Sequence, residues 1–203
     1  MSALKSKKLE ITFLIVGIVL FIILGLMVYK DFFSTNKSKK LATIGLYGYS
    51  LHDTDNDVYK NEFKALETIL DTKPINYSDY AKSIAKLFVI DVFTLNNKMA
   101  STDIGGIEFL HKDIKENFKE NMGASIYKFV KSNIDGKRTQ ELPEVSEVTV
   151  TNVFETNSTY ESNQYKSYEV SLSWTYVKDL GYQSSIKLTI INSNDVLYII
   201  KGE

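Results

Sequence analysis

Ser167–Tyr176 reads SYEVSLSWTY, and in it Tyr168, Val170, Leu172, Trp174 and Tyr176 alternate with Ser167, Glu169, Ser171, Ser173 and Thr175. A period of two in apolar side chains marks a strand that buries one face and wets the other. The same alternation puts Val148 and Val150 in a preceding strand and Ile186, Leu188 and Ile190 in a following one, and Val196–Ile200 makes a fourth. The intervening NSTYESNQ, KDLGY and NSND are of hairpin length, so the four strands are expected to form an antiparallel meander.

Upstream of Val145 the period is helical. Asp57–Asp71 spaces Val58, Phe63, Leu66, Ile69 and Leu70 along one face, Pro74 ends that helix, and Asn76 or Ser78 starts the next. Tyr77–Lys98 carries Tyr80, Ile84, Leu87, Phe88, Val89, Ile90, Val92, Phe93 and Leu95, which leaves little polar face. It is predicted as the central helix against the sheet. His111–Ser132 reads as a third helix, with Ile114, Phe118, Met122, Ile126, Phe129 and Val130 inward. Helices first and strands last give an α+β domain, three helices packed on one face of a curved four-stranded antiparallel sheet. Leu41–Leu51 is expected as a short strand or extended arm, and Ser101–Leu110 as a turn and a short strand. The Gly105–Gly106 pair there implies backbone that tolerates no side chain. Asn133–Glu144 is a connector whose Lys137 and Arg138 are expected in solvent.

Ahead of this domain, Ile11–Tyr29 (ITFLIVGIVLFIILGLMVY) runs nineteen residues without a charge. As a helix it would be roughly 28 Å long, near the thickness of a bilayer's hydrocarbon core. One N-terminal transmembrane helix is therefore expected, an uncleaved signal-anchor because the run is long and no small-residue cleavage site follows. Lys5, Lys7 and Lys8 favour a cytoplasmic N-terminus, although Lys30, Lys37, Lys39 and Lys40 nearly balance them. The expected layout is a cytoplasmic tail over 1–10, the span over 11–29, a juxtamembrane linker over 30–40 and an extracytoplasmic domain over 41–203.

Much chemistry is excluded by composition. With no cysteine there is no disulfide, thiol nucleophile or cysteine-bound metal centre. A net charge of −1, without a basic stripe, argues against nucleic acid. His52 and His111 are the two histidines, both near helix starts, and no G-x-S-x-G is present. S-x-x-K occurs at Ser34–Lys37, Ser83–Lys86 and Ser184–Lys187 without its companion motifs, so it carries nothing. Asp53, Asp55 and Asp57 fit the first positions of a calcium loop, but Val58 and Lys64 stand where Gly and Glu are required. Capping of the following helix is the better reading. No catalytic residue, cofactor or metal is assigned. Asp91 interrupts the most apolar helix, in line with Ile84, Phe88 and Leu95. It reads as a general base at a pocket mouth, or as a carboxylate that bonds a loop amide or a tyrosine hydroxyl and locks the fold. Asp91, Tyr168 and Trp174 are the candidate pocket residues, should the sheet enclose a cavity.

The order of one N-terminal span, three helices and a four-stranded meander, over Ile11–Tyr29 and Asp57–Ile200, resembles the cone-shaped fold of nuclear transport factor 2. With this layout it is similar to the bitopic scaffold of VirB-type type IV secretion and conjugation machines. The resemblance implies a non-enzymatic assembly subunit that docks other envelope proteins beside the membrane, with the lipid bilayer, other membrane or envelope proteins and its own copies as partners. The alternatives are a cone that holds a small ligand or a catalytic site, and an accessory factor of cell-envelope assembly.

Overall fold

The computed structural model describes residues 17–26 and 38–203. The chain divides into two units, Met1–Ser38 and Lys39–Glu203. In the first, residues 17–26 are helical (α1), with Ile18, Leu20, Phe21 and Leu24 exposed. The expected transmembrane helix is corrected here. The ten described helical residues rise about 15 Å, half the thickness of a hydrocarbon core. Among the described residues no helix is long and apolar enough to cross a membrane. The rest of Ile11–Tyr29, the 1–10 tail and most of the 30–40 linker lie outside the described residues.

The second unit opens with an antiparallel hairpin, β1 (Lys40–Ile44) and β2 (Tyr49–His52), where a short strand or extended arm was expected. Helices α2 (Asp57–Asp71) and α3 (Tyr77–Phe93) follow, then α4 (Lys115–Ala124), then β3 (Val145–Tyr160), β4 (Asn163–Tyr176), β5 (Ser185–Ser193) and β6 (Val196–Gly202). The four last strands pair antiparallel in chain order, a meander. Asn56 caps α2 by accepting the Tyr59 N–H, so Asn56 does what was expected of the neighbouring aspartates and threonine. Asn76 caps α3 by accepting from Ser78 and Asp79. α3 is buried on nearly every side, with Ile84, Leu87 and Val89 in one cluster with Val170, Leu172, Leu188 and Ile190 of the sheet. That burial, more than intrinsic propensity, is what holds a helix so rich in β-branched and aromatic residues.

Two expected helices end early, each for a tertiary reason. α3 stops at Phe93, five residues short of Lys98, because the Leu95 N–H bonds the Pro143 carbonyl and turns the chain. The third helix is cut to α4 because the chain turns at Ser125 and Tyr127 swings inward, its hydroxyl donating to the Val92 carbonyl. Ile107–Phe109 is a 3-10 turn where a strand was expected, and only Leu110 makes a bridge, to Ile199. In contrast, β3 and β4 absorb most of NSTYESNQ, meeting in a two-residue turn in which Glu161 and Ser162 both have positive φ. Asn194 and Asp195 turn β5 into β6 the same way. Paired positive φ values match the twist of the flanking strands, and Asn and Asp adopt them most readily among residues with a side chain.

Candidate functional site

Asp91 lies in the last turn of α3, and Lys98, six per cent exposed, returns to it after the bend at Leu95. The Lys98 ammonium donates to Asp91 Oδ1 at 2.5 Å, and the Gly106 N–H donates to Oδ2 at 2.6 Å. Beside them the Gly105 N–H donates to the Tyr127 hydroxyl, which in turn donates to the Val92 carbonyl. Burial opposes the Lys98 charge most strongly, yet Asp91, Tyr127 and Asp103 together outweigh it and raise the amine's pKa. Of the two readings of Asp91, the geometry matches the fold lock: it bonds a loop amide. Its cationic partner Lys98 was absent from that reading.

Gly105 and Gly106 are what allow this approach. A Cβ on Gly105 would stand 2.2 Å from the Asp91 carbonyl oxygen. One on Gly106, whose φ is +77°, would stand 2.6 Å from Val92 Cγ2. The segment is pressed backbone-first onto α3.

Two further carboxylates converge here. Glu108 Oε1 accepts the Ser50 N–H at 3.0 Å and the Tyr59 hydroxyl at 3.3 Å, joining the β2 strand and α2 to the 3-10 turn. Burial pushes the Glu108 carboxyl up to about 7, the Ser50 bond pulls the other way, and Asp91 and Asp55 add repulsion. Asp55 accepts the His52 N–H at 2.6 Å, and burial raises its pKa as well. The sequence signals differ: Asp55 stands in a run of surface-like acids, whereas Glu108 is flanked by Ile107 and Phe109, the one local sign that it is drawn inward. Among the described residues no group of three or more His, Asp and Glu could hold a metal ion. The network exchanges a proton at Glu108 near neutral pH and otherwise fastens the β1–β2 hairpin, α2, α3 and the Gly105–Phe109 segment together.

Arg138, expected in solvent, is a second fastener. Its guanidinium donates to the Asn96, Lys98 and Lys131 carbonyls, which ties the connector to the loop that carries Lys98. His111 is wedged edge-on between Tyr160 and Tyr198, with Nδ1 3.0 Å from Asp113.

The other two pocket candidates are core residues. Tyr168 is fully buried on β4. Trp174 packs on Phe93 with ring centroids 4.6 Å apart and borders a polar hollow with Tyr176, Asp179 and Tyr182. A separate apolar cavity of about 380 Å³ opens between α3, α4, β5 and β6, walled by Phe88, Phe93, Phe118, Met122, Leu188 and Ile199. None of Asp91, Tyr168 and Trp174 lines it, so the structure does not gather the three around this cavity. Set against known proteins, the chain matches no protein-family model, no curated protein and no solved structure.

Proposed function

We propose that the chain is a non-enzymatic assembly subunit of a membrane-associated, envelope-spanning complex of the secretion or conjugation kind. Its Lys39–Glu203 domain is the part that docks other proteins. The observation that carries this reading is the outer strand β3. One edge pairs with β4, and among the described residues no strand covers the other. Bulges interrupt the register between Val145 and Glu147 and between Val150 and Asn152, a device that blunts strand edges. Beyond the second bulge, Asn152–Tyr160 runs in regular register with Phe154 59% exposed at its centre. A regular free edge with an apolar side chain suits addition of a partner's strand. The order of helices and strands supports the secretion analogy, and a fold analogy is the weaker of the two supports.

The test is affinity capture of the full-length protein from detergent-solubilised membranes, comparing wild type with Phe154→Lys. Secretion or conjugation subunits should accompany the wild type and be depleted with the variant. Recovery of the chain alone, or with wall-synthesis proteins only, overturns the proposal.

A further inference from the structure

We infer that the cavity between α3, α4 and the β5–β6 end of the sheet binds a neutral molecule with an apolar body and one hydrogen-bonding head, of the type of a medium-chain fatty alcohol. Protein interiors are packed like organic crystals, with few voids larger than a water molecule. The hollow of about 380 Å³ is a cleft that opens from the principal core to solvent, lined on its inner side by Phe88, Phe93, Leu188 and Ile199 of that core. It falls within the roughly 300–1,000 Å³ range of small-molecule sites. Apolar cavities stay dry and accept apolar guests, an engineered one of about 150 Å³ already taking benzene.

The walls specify the body of the guest. Phe88, Phe93, Phe118, Leu188 and Ile199 offer no polar side-chain atom, and Met122 adds an unbranched side chain that adapts to shape. None of the residues of α4 is fully buried, and its Phe118 rests on Phe88 with ring centroids 5.6 Å apart. This wall is thus the lightly held one, able to adjust around a guest.

The rim specifies the head. Asn117, Asn121, Gln183, Lys201 and Glu203 surround the opening. The two charges there are spoken for, since Lys201 pairs with Glu203 and Lys187 pairs with Glu203 from the other side. Asn121 donates to Asn117 Oδ1 at 2.8 Å. That bond uses one donor and one acceptor of the pair and leaves the Asn117 amide nitrogen and the Asn121 carbonyl for a ligand. An uncharged hydroxyl satisfies both, accepting from the Asn117 amide and donating to the Asn121 carbonyl, whereas a carboxylate would meet Glu203 with its cations already engaged.

The experiment is a titration of the methyl-labelled full-length chain with 1-decanol, followed by NMR, with decanoate as the charged counterpart. Saturable one-to-one shifts at the Met122, Leu188 and Ile199 methyls are expected, with decanoate weaker by about tenfold or more because its carboxylate meets the like charge of Glu203 at the rim. Met122→Trp should fill the cavity and abolish those shifts while the spectrum stays dispersed. Shifts confined to Ile18–Leu26, or no saturation, overturn the inference, and this wild-type result decides even if Met122→Trp does not fold. Equal or tighter binding of decanoate overturns the neutral head. Binding that survives in folded Met122→Trp removes the site from this cavity. None of these outcomes depends on whether the β3 edge docks a protein.

Discussion

At the scale of single residues, Glu108 makes stability depend on pH in a direction opposite to that of an ordinary paired carboxylate. An unperturbed glutamate titrates at 4.5, whereas Glu108 keeps its proton up to about 7. Between those values the folded chain binds more protons than the unfolded one. The contribution is therefore complete below the unfolded value and is lost as pH rises through the folded one. Glu108→Gln retains an acceptor for the Ser50 N–H and the Tyr59 hydroxyl but does not titrate. Urea unfolding from about pH 5 to about pH 8 should cost the wild type about 1–3 kcal/mol more than it costs Glu108→Gln. Parallel pH profiles would mean that the carboxyl is ionised throughout. The raised pKa of Asp55 acts with the same sign in both proteins and cancels in the comparison. A few residues away, Lys98→Met strands a carboxylate whose side chain is only 20% exposed. Since Asp91 keeps the Gly106 N–H and some water, the loss should be about 2–3 kcal/mol, at or just below the low end for a buried pair. The Lys98→Met/Asp91→Asn double variant should lose less than the sum of the single losses, because Asn still accepts from Gly106 and carries no charge. Additive losses in denaturant titrations would show that the two groups act independently.

At the scale of elements, the segment from Ala100 to Leu110 is held by the absence of side chains as much as by bonds. Gly105→Ala would drive a Cβ to 2.2 Å from the backbone oxygen of Asp91, and backbone cannot move aside as a side chain can. Gly136 also has positive φ, +68°, but nothing lies within 4 Å of its Cβ position. Gly136→Ala should therefore cost only the backbone strain, about 1 kcal/mol, and Gly105→Ala about 3 kcal/mol or more. Similar midpoints in thermal unfolding for the two variants would refute the close approach. The contrast also shows what a sequence discloses about elements. The alternation in Tyr168–Tyr176 is local, and the strand it marks lies where its pattern puts it. The Gly105–Gly106 pair is also local, and its intolerance of side chains could be read directly. The end of α3 depends on Pro143, forty-eight residues beyond Leu95, and the end of α4 on the Val92 carbonyl. Neither partner sits within any window in which periodicity is measured. The same holds at the site: Asp91 stood out because it broke a long apolar run, whereas Lys98 follows Asn96 and Asn97, and Glu108 stands in the short run Ile107–Leu110, where no period shows which side chains turn inward. Ile11–Tyr29 suggested a span from hydropathy alone, and the described helix covers residues 17–26 of it.

At the scale of the whole molecule, among the described residues both clusters of buried side chains draw on residues from Ala42 onward. The fasteners follow the same boundary. Lys39 donates to Asp53, Ser50 to Glu108, Gly106 to Asp91 and Arg138 to three carbonyls, all within Lys39–Glu203. A domain of this length, with a continuous core, a four-stranded sheet and its own polar network, has what independent folding needs. The fragment Lys39–Glu203 should accordingly unfold in one cooperative transition, show the near-ultraviolet dichroism of packed Tyr and Trp side chains, and reproduce the pH response assigned to Glu108. Far-ultraviolet signal without near-ultraviolet signal, or unfolding without a cooperative midpoint, would show that residues before Lys39 contribute to the fold. Success would also divide the proposed function into two measurable halves. Loss of partner capture by the fragment, with its fold and pH response intact, would place a required contact in Met1–Ser38. Retention of capture, with sensitivity to Phe154→Lys, would place recognition in the sheet.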